Sequence, residues 1–290
     1  MQSISPILVP IDFSGRSLGM MPYVKAFSER YGAEIILLHV LDPVYVIPET
    51  GISPPTLIPI PQWLFDQKAA QLETLAVPDL IGLPVRRLMY EGDPESQIAA
   101  TAQSERVGLV IMPTHGRGVF RRFLIGSVTA KVLHDVDCPV LTGTHAQERA
   151  HPDATNISKI ACAIDLGPES EDVLTSAVNL ADIFHADLRF VYVVPRWDPK
   201  LRAALSSDLS DQVKEIVKAE IVKSRPASVL QDPQVSIEEG EVAEGVCHFA
   251  ESSSADLVVI GRGSRTGQAE RLNTNTYAII RQSPCPVLSI

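Results

Sequence analysis

The residue types best suited to chemistry lie in two short stretches. The first is PTHGRGVFRRFLIGS, Pro113 to Ser127, which sets three glycines and three arginines between an apolar run and a Gly-Ser pair. Gly116 and Gly118 let a backbone approach a ligand closely. Gly126 and Ser127 precede VTAKVLHD, which reads as a helix. The free N–H groups at such a helix start, the Ser127 hydroxyl and the helix dipole together suit a phosphate. Arg117, Arg121 and Arg122 add local positive charge. The second stretch is ILVPIDFS, a short apolar run that ends in the carboxylate Asp12. On residue types alone, turn chemistry explains the glycines, a solvated face the arginines and a helix N-cap Asp12 equally well.

These residues must be positioned by something, and the chain shows what by repeating itself. ISPILVPIDFSGRS answers to ISKIACAIDLGPES, and AEIILLHVLDP answers to ADLRFVYVVPR; 153 residues separate Asp12 from Asp165 and Val40 from Val193. Further on, Gly92 faces Gly240, Pro113 faces Gly261, and each half closes on Cys-Pro-Val-Leu. Within each half, apolar runs rich in Ile, Val and Leu alternate with helical-period segments such as SLGMMPYVKAFSERYG and VLTSAVNLADIFHA. That alternation implies a parallel sheet with helices on both faces, about five strands and four helices per half. Asp93, Pro94 and Glu95 supply an N-cap, an N1 proline and a first-turn carboxylate, and Gly32 suits a helix C′ position. In an open parallel sheet ligands bind beyond the carboxyl ends of the strands, where strand order reverses, and GLVIMP reads as the fourth strand leading into the glycine-arginine loop.

The expected organisation is therefore a first domain over 1–144, a linker over 145–157 and a second domain over 158–290. The halves differ most after their second strand. There the first half carries six prolines between Pro43 and Pro61, which excludes a regular helix or a central strand. With Tyr45, Ile47, Ile58, Ile60 and Trp63 in or beside it, this insertion is expected to be packed on its own domain, or to serve as a lid or partner surface, rather than freely solvated.

Net charge is -10, from 25 basic and 35 acidic residues, so the molecule as a whole should repel nucleic acid and anionic membrane. Apolar runs fall far short of the roughly 20 residues that span a bilayer, and the expected location is cytoplasmic. Cys138, Cys162, Cys247 and Cys285 show no metal-ligand spacing and read as reduced, packed thiols.

In its ordered motifs the chain resembles the universal stress protein family. The pattern is Gly, two residues, Gly, nine residues, then Gly with Ser or Thr; here it runs through Gly116, Arg117 to Ile125, and Gly126-Ser127, with Pro113 in place of the leading glycine. ILVPIDFS, LLHVLD, EGDP and CPVL extend the resemblance over nearly all of both halves. The resemblance implies an α/β fold of two tandem open five-stranded parallel-sheet domains, of the adenine nucleotide alpha hydrolase-like kind. In family dimers the fifth strands meet; here they would pair within one chain as an intramolecular pseudo-dimer, with a further homodimer and a protein partner left open.

Family members with this pattern bind ATP. Carried over, Asp12 would contact the adenosine end and the Val40 backbone the adenine edge. Gly116, Gly126 and Ser127 would hold ribose and phosphates, and Val128 would contribute an N–H. Gly92, Thr114, His115 and Arg117 complete the implied set, although an imidazole satisfied within the loop fits His115 as well. ATP, with or without Mg, is the expected ligand; AMP, ADP or a cyclic dinucleotide would offer the same helix start similar phosphates. In the second half, Gly-Ser becomes Asn273-Thr274 and a further glycine becomes Ser264, so that half is expected not to hold ATP in the family manner. Arg262, Arg265 and Arg271 remain there, with surface solvation as their simplest explanation.

The implied role is a stress-response regulator or sensor without dedicated catalysis. The alternatives are a nucleotide-independent interaction platform and a slow ATP hydrolase or nucleotidyl-transfer enzyme. The chain lacks both G-x-x-x-x-G-K-[ST] and a second histidine at H-x-G-H spacing.

Overall fold

The computed structural model describes residues 4–46, 56–75, 78–116, 125–143, 156–167, 170–194, 196, 209–223, 233–263 and 274–290. It forms two compact units. Unit 1 comprises Met1–Val119 and Gly126–Cys138; unit 2 comprises Phe120–Ile125 and Pro139–Ile290.

In unit 1 the strands β1 (Ile7–Pro10), β2 (Ile35–Leu41), β5 (Val85–Glu91) and β6 (Leu109–Pro113) lie parallel in the order β6-β1-β2-β5. The register pairs Ile7 with both Ile35 and Leu109, and Ile35 with Val85. Every residue of β6 is buried. Successive side chains of a strand point to opposite faces, so this sheet is covered on both, as continuous apolar strands require.

The first helical segment of the sequence is broken in two, α1 (Gly15–Leu18) and α2 (Met21–Tyr31). Pro22 is responsible: it lacks an N–H and its ring would collide with the Leu18 carbonyl four residues back, whereas at the first turn of α2 it is harmless. Gly32 ends α2 at φ 61, a left-handed conformation that glycine adopts without strain. Helix α4 (Pro94–Ser104) is capped by Asp93, whose carboxylate accepts the Ser96 N–H.

The proline-rich insertion forms a separate antiparallel hairpin, β3 (Val44–Val46) with β4 (Thr56–Ile58), followed by α3 (Gln62–Glu73). Trp63 is 66% exposed and Ile58 44%, which corrects the expectation that these two side chains pack on their own domain and leaves the lid or partner-surface reading untouched. For Trp63 the reason is helical phase. Phe65, Lys68, Ala69 and Leu72 share the inward stripe at i, i+3, i+4 and i+7, and Trp63 stands nearly opposite them.

Unit 2 contains β8 (Lys159–Ala163), β9 (Asp187–Val194), β10 (Gln234–Glu239), β11 (Leu257–Ile260) and β12 (Val287–Ser289), parallel in the order β10-β9-β8-β11-β12. Strand β7 (Val140–Gly143) adds to β12 antiparallel, pairing Leu141 with Leu288. The Ser289 hydroxyl donates to the Val140 carbonyl at 3.1 Å. Among the described residues its helices are α6 (Ser170–Phe184), here unbroken, α7 (Leu209–Lys223), α8 (Val242–Ser252) and α9 (Thr274–Gln282). No disulfide joins the four cysteines, and burial pushes the thiols of Cys162 and Cys247 above their usual range. Among the described residues no helix is long and apolar enough to cross a membrane.

Candidate functional site

Because the strands of unit 1 are parallel, their carboxyl ends share one edge. From β1 the chain moves outward through β2 and β5, then returns to β6 on the other side of β1. The crevice between β1 and β6 is thus the reversal point where open α/β sheets place ligands. Asp12 stands two residues beyond β1, Thr114 to Gly116 directly beyond β6, and Val40 near the end of β2 opposite Tyr90. Gly92 follows β5, three strands from β6, or roughly 14 Å at about 4.8 Å per strand. Its φ of 131 and its N–H bond to the Leu41 carbonyl at 2.9 Å give it a turn role at the outer end of this edge.

The turn after β1 is tightly specified. Asp12 Oδ1 accepts the Ser14 N–H at 2.9 Å, and Ser14 caps α1 by accepting the Ser17 N–H at 3.2 Å. A Cβ on Gly116 would stand 2.6 Å from Asp12 Oδ2, so only glycine lets the β6 loop lie this close to the carboxylate. Phe13, at φ 60, stacks obliquely on His39 with ring centroids 4.6 Å apart, and Lys68 of α3 lies 5.1 Å from the Phe13 centroid. The buried His39 bonds through Nδ1 to the Ile11 carbonyl. The insertion helix therefore reaches the same turn as Asp12.

Beyond β6, the buried Thr114 accepts the Gly126 N–H on its carbonyl at 2.8 Å, and a Cβ on Gly126 would lie 3.3 Å from that oxygen. Thr129 Oγ1 donates to the Pro113 carbonyl at 3.0 Å. Together these bonds fix the start of α5 (Ser127–Asp135) against the end of β6. Pro113 keeps its carbonyl in use, and the lost N–H does not disturb this junction. Gly126 is the N-cap and has no side chain to satisfy the helix start. The N–H groups of the exposed Ser127 and of Val128 donate to no described group.

His115 Nδ1 lies 3.0 Å from Thr114 Oγ1, while its Nε2 is buried without a partner among the described residues. Burial, and secondarily the charge of Arg16, lower the imidazole pKa below its usual value, so the ring is neutral at pH 7. Arg16 itself donates from Nη1 to the Gly116 carbonyl at 3.0 Å. Sequence reasoning overlooked this arginine; its place four residues after Asp12, in the turn beyond the first strand, was the available signal. Arg117, Gly118, Arg121 and Arg122 lie outside the described residues. The arrangement offers backbone donors, a carboxylate and a cation around one crevice, a set suited to holding a phosphorylated ligand.

Unit 2 preserves the scaffold and changes the contents. Gly240, at φ 132, donates to the Val194 carbonyl at 3.0 Å, reproducing Gly92. Helix α9 begins at Thr274, and Thr276 Oγ1 reaches the Gly261 carbonyl at 3.3 Å, as Thr129 does in unit 1. Asp165 differs from Asp12 in its surroundings: its Oδ1 accepts both the Gly167 N–H and the Ser170 hydroxyl at 2.9 Å. Arg262 stands where unit 1 has Thr114. It is 9% exposed, which corrects the expectation of a solvated side chain, and its backbone N–H donates to the Ile290 carbonyl just beyond β12. Ser264, Arg265, Arg271 and Asn273 lie outside the described residues. Among the described residues no cluster of His, Cys, Asp or Glu could hold a metal ion.

With this geometry in place, comparison with known proteins is decisive for the family. The model of the universal stress protein family matches residues 3–142 and again residues 156–290. The chain belongs to the universal stress protein family. It carries two such domains in tandem, and its single-domain relatives align with about half of it. The universal stress protein MJ0577 of Methanocaldococcus jannaschii is 28% identical over 148 residues, 47% of this chain and 91% of that protein. The Mycobacterium bovis universal stress protein Mb2028c is 31% identical over 147 residues, 47% of this chain and 44% of its own length. Among solved structures, a universal stress protein from Archaeoglobus fulgidus shares the fold at a TM-score of 0.71 and 19% identity, covering 100% of this chain and 98% of that one.

Proposed function

We propose that this universal stress protein binds an adenine nucleotide, ATP foremost, in the crevice between β1 and β6 of unit 1, and acts as a cytoplasmic stress-response regulator. The observation that carries the reading is the start of α5. The N–H groups of Ser127 and Val128, which donate to no described group, open a helix of nine residues beside β6 at the strand-order reversal, where backbone donors and the helix dipole favour phosphate. The family's glycine pattern through Gly116, Gly126 and Ser127 coincides with that start. Thr114, the neutral His115 and Arg117 line the same loop in the proposal, while Asp12 and the Val40 backbone face the nucleoside. Phosphate recognition of this kind extends to AMP and ADP. Unit 2 lacks the glycines at 264 and 273 and is assigned no nucleotide. The domain limits 1–144 and 158–290, joined by 145–157, form part of the same proposal.

A second reading, an interaction platform independent of nucleotide, is favoured by β7 lying antiparallel on β12. That pairing supports an intramolecular pseudo-dimer in which two sheet edges satisfy each other.

Calorimetric titration with Mg-ATP tests the first reading. One equivalent should bind, Gly126→Val should abolish binding, and Thr274→Val in unit 2 should leave it unchanged. A folded wild type that binds no ATP rejects the nucleotide reading and leaves the platform.

A further inference from the structure

Arg16 is half-buried, and its guanidinium crosses from α1 to the loop beyond β6, where one N–H meets the Gly116 carbonyl at 3.0 Å. A guanidinium has five N–H donors, and Arg16 forms no ion pair with a described carboxylate. Asp12, the nearest acidic residue in sequence, directs Oδ1 to the Ser14 N–H instead. The charge of Arg16 reaches His115 and disfavours its protonation. The N-terminal amides of α5, bound through Gly126 to Thr114, add partial positive charge on the same loop. The guanidinium and the helix start thus bring positive potential to the loop beyond β6, beside the Asp12 carboxylate, and favour an anionic group there.

The second half supplies an independent comparison. The register that aligns Asp12 with Asp165 places Glu169 at the position of Arg16. The half that lost the phosphate-loop glycines thus carries the opposite charge here. The arginine and the glycine loop it meets are thus present together in one half and absent together in the other.

We propose that Arg16 is a specificity-determining residue that contacts the phosphate chain of the bound nucleotide, favouring ligands with more phosphates; this rests on the nucleotide reading above. In the free protein its guanidinium is parked on Gly116, which holds it in reach without neutralising it. On binding, its unused donors take phosphate oxygens while the Gly116 contact keeps the loop in place.

The test titrates the full chain and its Arg16→Lys, Arg16→Gln and Arg16→Glu variants with adenosine, AMP and Mg-ATP. Affinity for ATP should fall in the order wild type, Lys, Gln, Glu, with about a tenfold loss at Gln, the worth of one charge-assisted hydrogen bond. AMP should lose less, and adenosine should be unchanged. An equal loss for all three ligands would reduce Arg16 to a clamp on Gly116, and unchanged ATP affinity would remove it from the site. A wild type that binds none of the three fails the nucleotide reading itself, whereas binding that ignores Arg16 fails this inference alone. With three variants, one that does not fold leaves two points on the series.

Discussion

Gly116→Ala isolates the contact that brings the two ends of the site together. The added Cβ would sit 2.6 Å from Asp12 Oδ2 and 3.7 Å from its Cγ. The backbone conformation at 116 is not left-handed, so the substitution strains nothing but this contact. To restore an ordinary separation of about 3.4 Å, the carboxylate must retreat by roughly 0.8 Å. Its Oδ1 then leaves the Ser14 N–H, now at 2.9 Å, and the turn into α1 loosens. A hydrogen bond to a charged group is worth about 1.5 to 3 kcal/mol at most, and its partial exposure places the loss near the lower end. In a unit of this size that lowers Tm by roughly 4 to 8 °C. The assay is a double-mutant cycle read by scanning calorimetry, with Gly116→Ala, Asp12→Ala and both together. If the clash is the cause, Gly116→Ala should be nearly silent once Asp12 is truncated. Additive losses would refute the steric account.

Asp93→Ala removes the cap of α4 and should destabilise by about 1 kcal/mol at neutral pH. Hydrogen bonds from Ser96 hold the Asp93 carboxyl below its usual pKa, so its contribution is complete above the ordinary carboxylate range and fades as pH falls through the lowered folded value; the Tm gap between variant and wild type should narrow in acid. His115 has the converse consequence: its pKa is depressed in the fold, so the unfolded chain takes up the proton first and stability declines as pH drops below the usual histidine value. His115→Gln should flatten that decline, and Arg16→Gln should raise the His115 pKa followed by NMR. In unit 2, Gly245→Ala would place a Cβ 3.0 and 3.1 Å from the Val193 methyls and 3.2 Å from Glu238 Cβ. The helix-propensity gain of about 1 kcal/mol should be outweighed by overpacking of about 1 to 3 kcal/mol, lowering Tm, and Val193→Ala should restore it.

Much of the fold was legible because parallel strands buried on both faces must be continuous apolar runs, and because the chain states them twice. Asp93 and Gly32 were readable as caps because local backbone geometry decides them. The exposure of Trp63 was not, since it depends on which stripe of α3 turns inward, a matter settled by Leu72 and the Lys68 contact with Phe13. Arg262 misled because charge type predicts solvent, whereas its place just beyond the buried strand β11 is fixed by the fold. At the site, Gly116 and Gly126 announced themselves by type, whereas Arg16 meets Gly116 across 100 residues of sequence. A contact of that range leaves no periodic trace.

The threonine hydroxyls that tie Thr129 to Pro113 and Thr276 to Gly261 appear in both units, although the residues just before the two helices differ entirely. Seating the helix and equipping the loop are therefore separate tasks, done by different atoms. A chain built this way can lose a ligand without losing a domain. It carries in its second unit a framework onto which the loop of the first could be transplanted, with the threonine bond already in place to receive it.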